Sequence, residues 1–137
     1  MRVYIAARYS RRVEMKSIAR VLEHNGMTVT SRWLDEMIPV SSQLHDVTPA
    51  FCRETAIADL EDIRKSDMMV FFSEDPTIGT PRGGRHFEMG YASGLGKRLV
   101  VIGGPENIFH YLPEVVHYSS LGDFIDAEGA TGVSLTK

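Results

Sequence analysis

Residues 2 to 32 read RVYIAARYSRRVEMKSIARVLEHNGMTVTSR, and the fold follows from this stretch. Arg2 to Ala7 is a short apolar run of strand length. Arg8-Tyr9-Ser10-Arg11-Arg12 reads as a turn and a helix start, with Ser10 as N-cap and Glu14 one turn in. The helix is expected to run to Asn25-Gly26, where glycine makes a good stop. Met27 to Arg32 reads as a second strand. Strand, helix and strand within about thirty residues is the unit of a parallel sheet.

The same alternation continues. Trp33 to Pro49 is the least regular region, and a loop of that length in a compact domain is usually functional. Thr48 or Pro49 opens a long helix ending near Lys65-Ser66. Ile57, Leu60 and Ile63 are expected on its buried face, Asp59 on the edge of that face, and Asp62 pointing away. Met68 to Ser73 is the most apolar strand and reads as central. Thr80 to Ala92 begins as a Gly-rich loop and becomes a helix that ends near Gly94 to Lys97. Leu99 to Ile102 reads as a fourth strand, Asn107 to Leu112 as a short helix or turn, Val115 to Tyr118 as a fifth strand, and Leu121 to Ala127 as a last helix. From Glu128 the tail is small and polar. The expected fold is a single α/β domain over residues 1–137, with a parallel sheet of about five strands.

The chain has 137 residues, enough for one sizeable core. Its net charge of -3 argues against a polyanion-binding surface of the kind duplex DNA requires. One cysteine, Cys52, excludes an internal disulfide framework and suits a reducing compartment. Cys52 itself reads as a small half-buried residue. The N-terminus enters a strand directly and no long apolar span follows, so the expected location is the cytoplasm, with no membrane contact. The histidines and the cysteine lack metal-ligand spacing, so neither a metal nor a cofactor is expected. A dinucleotide fingerprint and a Walker-type loop are both absent.

Open parallel sheets bind ligands at the carboxyl ends of their strands. Ala6 to Arg12, Trp33 onward, Ser73 to Glu88 and Gly103 to Asn107 all converge there. Gly83-Gly84 before a helix makes a natural anion site. On a helical projection Phe87, Tyr91, Ala92 and Leu95 share one face, and Glu88 lies within it. A carboxylate on an apolar face is costly unless it is paired or used. Read from chemistry alone, Glu88 is either a working acid or a structural partner of Arg85 or a lysine. Asp59 is either a proton donor or a solvated helix residue. Tyr4 in a buried strand belongs to core or site.

Three blocks carry a resemblance to a known family. They are Tyr4-Ile5-Ala6, the run Ala58 to Asp67, and Phe87-Glu88-Met89-Gly90-Tyr91-Ala92 followed by Leu95-Gly96-Lys97. Together they resemble the nucleoside 2-deoxyribosyltransferases and their relatives that hydrolyse deoxynucleoside 5′-monophosphates. The similarity covers roughly residues 2 to 104. It implies a flavodoxin-like three-layer sandwich and a double-displacement mechanism. Glu88 matches the family's nucleophile, Asp59 the carboxylate that handles the nucleobase proton, and Tyr4 the tyrosine that orients the nucleophile. The family also implies a homo-oligomer in which a neighbouring subunit completes the site, with Asn107 as the residue loosely matched to that role.

One position departs from the transferases. They place an aspartate a few residues before the nucleophile, facing the sugar 5′-hydroxyl; counting back six from Glu88 gives Arg82. A charge-assisted bond to phosphate is worth roughly 1.5–3 kcal/mol, and an arginine facing a neutral hydroxyl gains much less. With Ser10, Arg11, Arg12, Gly84 and Arg85 near the same edge, the sequence favours a 5′-monophosphate and the hydrolase branch. Base exchange between nucleosides is the alternative, and a non-catalytic nucleotide-binding module is a third reading. Trp33 is expected as a packed lid residue, and with His45 and the long second loop it is expected to set the base preference.

Overall fold

The computed structural model describes residues 1–36, 48–75 and 83–129. Five strands form one parallel sheet: β1 (Arg2–Ala6), β2 (Thr28–Val29), β3 (Met68–Phe72), β4 (Arg98–Ile102) and β5 (Val115–Tyr118). Their spatial order is β2-β1-β3-β4-β5. This is the flavodoxin-like α/β arrangement expected from the sequence. Four α-helices connect or follow the strands: α1 (Arg12–His24), α2 (Pro49–Lys65), α3 (Gly84–Gly94) and α4 (Leu121–Glu128). Short 3-10 turns lie at Tyr9–Arg11, Arg32–Asp35 and Ile108–Tyr111.

Every residue of β3 is buried, as the run Met-Met-Val-Phe-Phe demands of a strand covered on both faces. Burying each of these large side chains is worth about 1.5–3 kcal/mol, and the core sits around this strand. In β1 the register pairs Tyr4 with Met69 and Ala6 with Phe71. Those residues therefore share the sheet face covered by α3.

Several local expectations are corrected. Ser10 does not cap α1: it lies within the 3-10 turn, and Arg11 takes the cap position without a side-chain bond. The second strand is only Thr28–Val29, because Ser31 turns inward to accept the Ile5 N–H at 2.7 Å and Arg32 starts a 3-10 turn. Ile57 is exposed, and Asp62 is buried instead of pointing away. Asp62 accepts from the Arg32 backbone N–H at 2.9 Å and from its Nε at 2.8 Å. On α3 the buried residues are Arg85, Met89 and Ala92, while Phe87 and Leu95 face outward. The helical projection was rotated because it treated Arg85 as polar surface. By contrast, Thr48 caps α2 as expected, accepting from the Phe51 N–H at 3.1 Å. The tail beyond residue 129 and most of the loop after Trp33, His45 included, lie outside the described residues.

Candidate active site

The order β2-β1-β3 reverses direction at β1, so a crevice opens beside the carboxyl ends of β1 and β3. Tyr4, fully buried in β1, reaches under α3 and donates its hydroxyl to Glu88 Oε2 at 2.5 Å. Burial holds the Tyr4 phenol well above its ordinary range, and the charges of Glu88 and Asp59 add to this. The phenol therefore stays a donor. Burial also pushes the Glu88 carboxyl up to about 7, against the Tyr4 bond that favours its charged form.

Asp59 lies half-buried on α2 and is pushed up to about 8, first by burial and then by the charges of Glu88, Glu36 and Asp62. The Arg32 guanidinium pulls the other way, but it is already held by Asp62. Glu36 is a third acid that the sequence reading missed. It ends the 3-10 turn after β2, hydrogen-bonds Thr55, and is raised by burial. Thr55 precedes Asp59 by one helical turn, so that bond brings Glu36 to the helix face carrying Asp59. The signal was weak in sequence, since nothing local separates Glu36 from the neighbouring Asp35.

Trp33 is buried, donates Nε1–H to the Ile5 carbonyl at 2.8 Å, and lies 6.3 Å from the Tyr9 ring. It anchors the end of β1; the Tyr9 hydroxyl in turn donates to the Glu36 carbonyl at 3.0 Å. Gly83 adopts φ +86, the left-handed region that glycine tolerates, and opens α3 without a side-chain cap. A Cβ on Gly84 would meet nothing within 4 Å among the described residues.

The arginines are arranged differently from the sequence expectation. Arg85 is buried and clamped by Glu106, Nη1 to Oε2 at 2.7 Å and Nη2 to Oε1 at 2.8 Å. It does not face the crevice as a free phosphate contact. Arg11 is shared between Glu14 and Glu74, at 2.8 and 2.5 Å. The Arg12 guanidinium donates to the Leu34 carbonyl. Ser10 is exposed at this edge, and Arg82 lies outside the described residues. Asn107 spends both ends of its amide within its own chain: Oδ1 accepts from the Phe109 N–H and Nδ2 meets His86 Nδ1 at 3.2 Å. Among the described residues no group of three metal-ligating side chains occurs.

Beside α3 lies an apolar groove of about 470 Å³, lined by residues such as Phe87, Met89, Leu99 and Phe109. Ile108, Tyr111 and Leu112 are exposed on the same segment as Phe109. No helix among the described residues is long and apolar enough to cross a membrane.

No protein-family model matches the chain, and no curated protein does. Solved structures do match. A CMP N-glycosidase of Clostridium botulinum is 21% identical, covering 93% of this chain and 97% of that one, with a TM-score of 0.55. A 2-deoxyribosyltransferase of the psychrotolerant Bacillus psychrosaccharolyticus is 18% identical over 90% of both chains, with a TM-score of 0.69. A conserved protein of Enterococcus faecalis is 20% identical over 90% of this chain and 84% of that one, with a TM-score of 0.50. The chain therefore has the fold on which both an N-glycosidase and a 2-deoxyribosyltransferase are built.

Proposed function

We propose that this protein is an enzyme that hydrolyses the N-glycosidic bond of a 2′-deoxynucleoside 5′-monophosphate, releasing free base and deoxyribose 5-phosphate. The observation that carries the reading is the part-buried Tyr4–Glu88 hydrogen bond beside a protonatable Asp59. In the first step Asp59 gives its proton to the base. The C1′–N bond breaks with its electron pair going to the base, and a Glu88 oxygen bonds to C1′. In the second step water attacks C1′, loses a proton to Asp59, and frees Glu88. Each residue ends as it began. Tyr4 holds the Glu88 carboxylate in its attacking orientation, and exclusion of water strengthens its attraction for the oxocarbenium-like transition state.

The phosphate is assigned to the first turn of α3 at Gly83 and Gly84, with Ser10, Arg11 and Arg82 as polar partners. The likeness to a CMP N-glycosidase supports a phosphorylated substrate. Arg85 no longer contributes to that argument, because Glu106 neutralises it. Base release over matched nucleosides and monophosphates tests the reading, with Glu88→Ala as control. Turnover of unphosphorylated nucleosides alone sinks it.

A second reading, exchange of bases on deoxyribose, is favoured by the likeness to a deoxyribosyltransferase. Incubation of a deoxynucleoside with a second free base then yields the swapped nucleoside. A binding module without turnover would show ligand binding and no base release. The exposed Phe87, Ile108 and Phe109 around the apolar groove support a homo-oligomer, which light scattering would test. We also assign the protein to the cytoplasm.

A further inference from the structure

We propose that Glu106 is a positioning residue that sets the working orientation of Glu88, acting through Arg85. The inference rests on the reading of Glu88 as the nucleophile. Glu106 follows β4 and bonds to three segments: the start of α3, the segment leaving β3 and the 3-10 turn at Ile108–Tyr111. Both its oxygens clamp the Arg85 guanidinium. Its Oε2 also accepts from the Glu74 N–H at 2.8 Å, which fixes the segment leaving β3. Its own N–H donates to His110 Nδ1 at 2.9 Å, which fixes the 3-10 turn.

Arg85 lies three residues before Glu88 on α3, so the two side chains belong to one stretch of helix. The guanidinium stacks over the Phe71 ring, 4.8 Å from its centroid. Phe71 belongs to the sheet face that Tyr4 shares. The first turn of α3 has no side-chain cap of its own, and Gly83 and Gly84 add no packing. The clamp therefore supplies the order that the turn's own sequence lacks. Among the described residues two buried atoms, Arg85 Nε and His110 Nε2, find no hydrogen-bond partner. His110 accepts at Nδ1, so in the neutral ring the proton sits on Nε2.

Glu106→Gln, Glu106→Asp and a core control, Leu22→Val, test this by melting temperature, kcat and KM. The Glu106→Gln change is expected to lower kcat about 10²-fold with KM within about threefold, the loss that a misplacement near 1 Å produces. Glu106→Asp should recover part of kcat. Leu22→Val should lower the melting temperature without that loss of kcat. A kcat for Glu106→Gln equal to that of the core control, or a loss confined to KM, overturns the proposal. A carboxyl-carbon NMR titration of Glu88 supplies a readout that needs no turnover. Its midpoint, near 7 in the wild type, is expected to fall by about one unit in Glu106→Gln as the loosened turn admits water. An unmoved midpoint overturns the proposal even if the wild type releases no base, an outcome that would instead refute the glycosidase reading.

Discussion

The acids near the carboxyl edge of the sheet fall on two sides that hold the same functional group in opposite ways. Toward β1 and α2 lie Glu36, Asp59 and Glu88, gathered around a tyrosine, and burial raises all three. Toward β4 and the turn before α1 lie Glu14, Glu74 and Glu106, each set against an arginine. Burial alone would raise Glu106, yet the two Arg85 bonds and the Glu74 N–H bring it below the ordinary range. The bonds from Arg11 lower Glu14 as well. A carboxyl group buried without a committed cation, as Glu88 and Asp59 are, can gain or lose a proton near neutral pH. One locked to a guanidinium cannot. The first side is suited to chemistry and the second to architecture.

The largest expected effect comes from the acid side. Glu88→Gln keeps the shape and removes the nucleophile, and kcat should fall on the order of 10⁴-fold. Trapping of a glycosyl-enzyme by mass spectrometry should succeed in the wild type and fail in the variant. Retention of most activity would mean that another of the acids attacks, and the division between the two sides would have to be redrawn.

Asp59→Asn should cost about 10²–10⁴-fold in kcat, the usual range for a general acid. The wild-type pH profile follows from the same two groups. Activity falls below about 7 as Glu88 gains a proton, and above about 8 as Asp59 loses one. The optimum lies between these values, and the two limbs belong to the coupled pair. Asn at position 59 should remove the alkaline limb. It should also stabilise the fold. The Asp59 value in the folded protein lies above the ordinary 3.8, so stability is highest below that value and is lost as pH rises through about 8. The melting temperature of Asp59→Asn should therefore exceed that of wild type at pH 9, with the difference shrinking toward pH 4.

Much of this arrangement was legible in the chain. The alternation of strand and helix fixed the sheet, because parallel strands buried on both faces read as apolar runs. Glu88 stood out as an acid among apolar residues of the helix, although the face projected for it was rotated and Phe87 and Leu95 in fact point outward. What sequence could not reveal was pairing at a distance. Arg85 and Glu106 lie 21 positions apart, and only the return of β4 beside α3 joins them, so Arg85 read as a free loop cation. Asp62 misled for the same reason, since its partner Arg32 comes from the far side of the β2 turn. Glu36 escaped notice because its hydrogen-bond partner, Thr55, belongs to a different element.

Tyr4→Phe probes the acid side more gently. The hydroxyl favours the charged form of Glu88, so its loss should raise the acidic limb of the profile. Turnover should fall about ten- to a hundredfold, the value of one hydrogen bond to a charged group. A fall in kcat with no movement of the limb would make Tyr4 a packing residue.

Arg11→Gln should give the smallest change, and it tests the ionic side. Arg11 already spends its guanidinium on Glu14, Glu74 and the Ser73 carbonyl. A phosphate at the first turn of α3 would compete with those acids for it, so most of the attraction is offset before substrate arrives. KM for a 5′-monophosphate is expected to rise only about three- to tenfold, with kcat unchanged and the KM for an unphosphorylated nucleoside unmoved. Equal effects on both substrates would show that Arg11 holds the loop and not the phosphate, leaving phosphate recognition to the backbone at Gly83 and Gly84. A collapse of kcat would mean that the ionic side also takes part in the chemistry, because a residue committed to two acids could reach the reacting atoms only by releasing them.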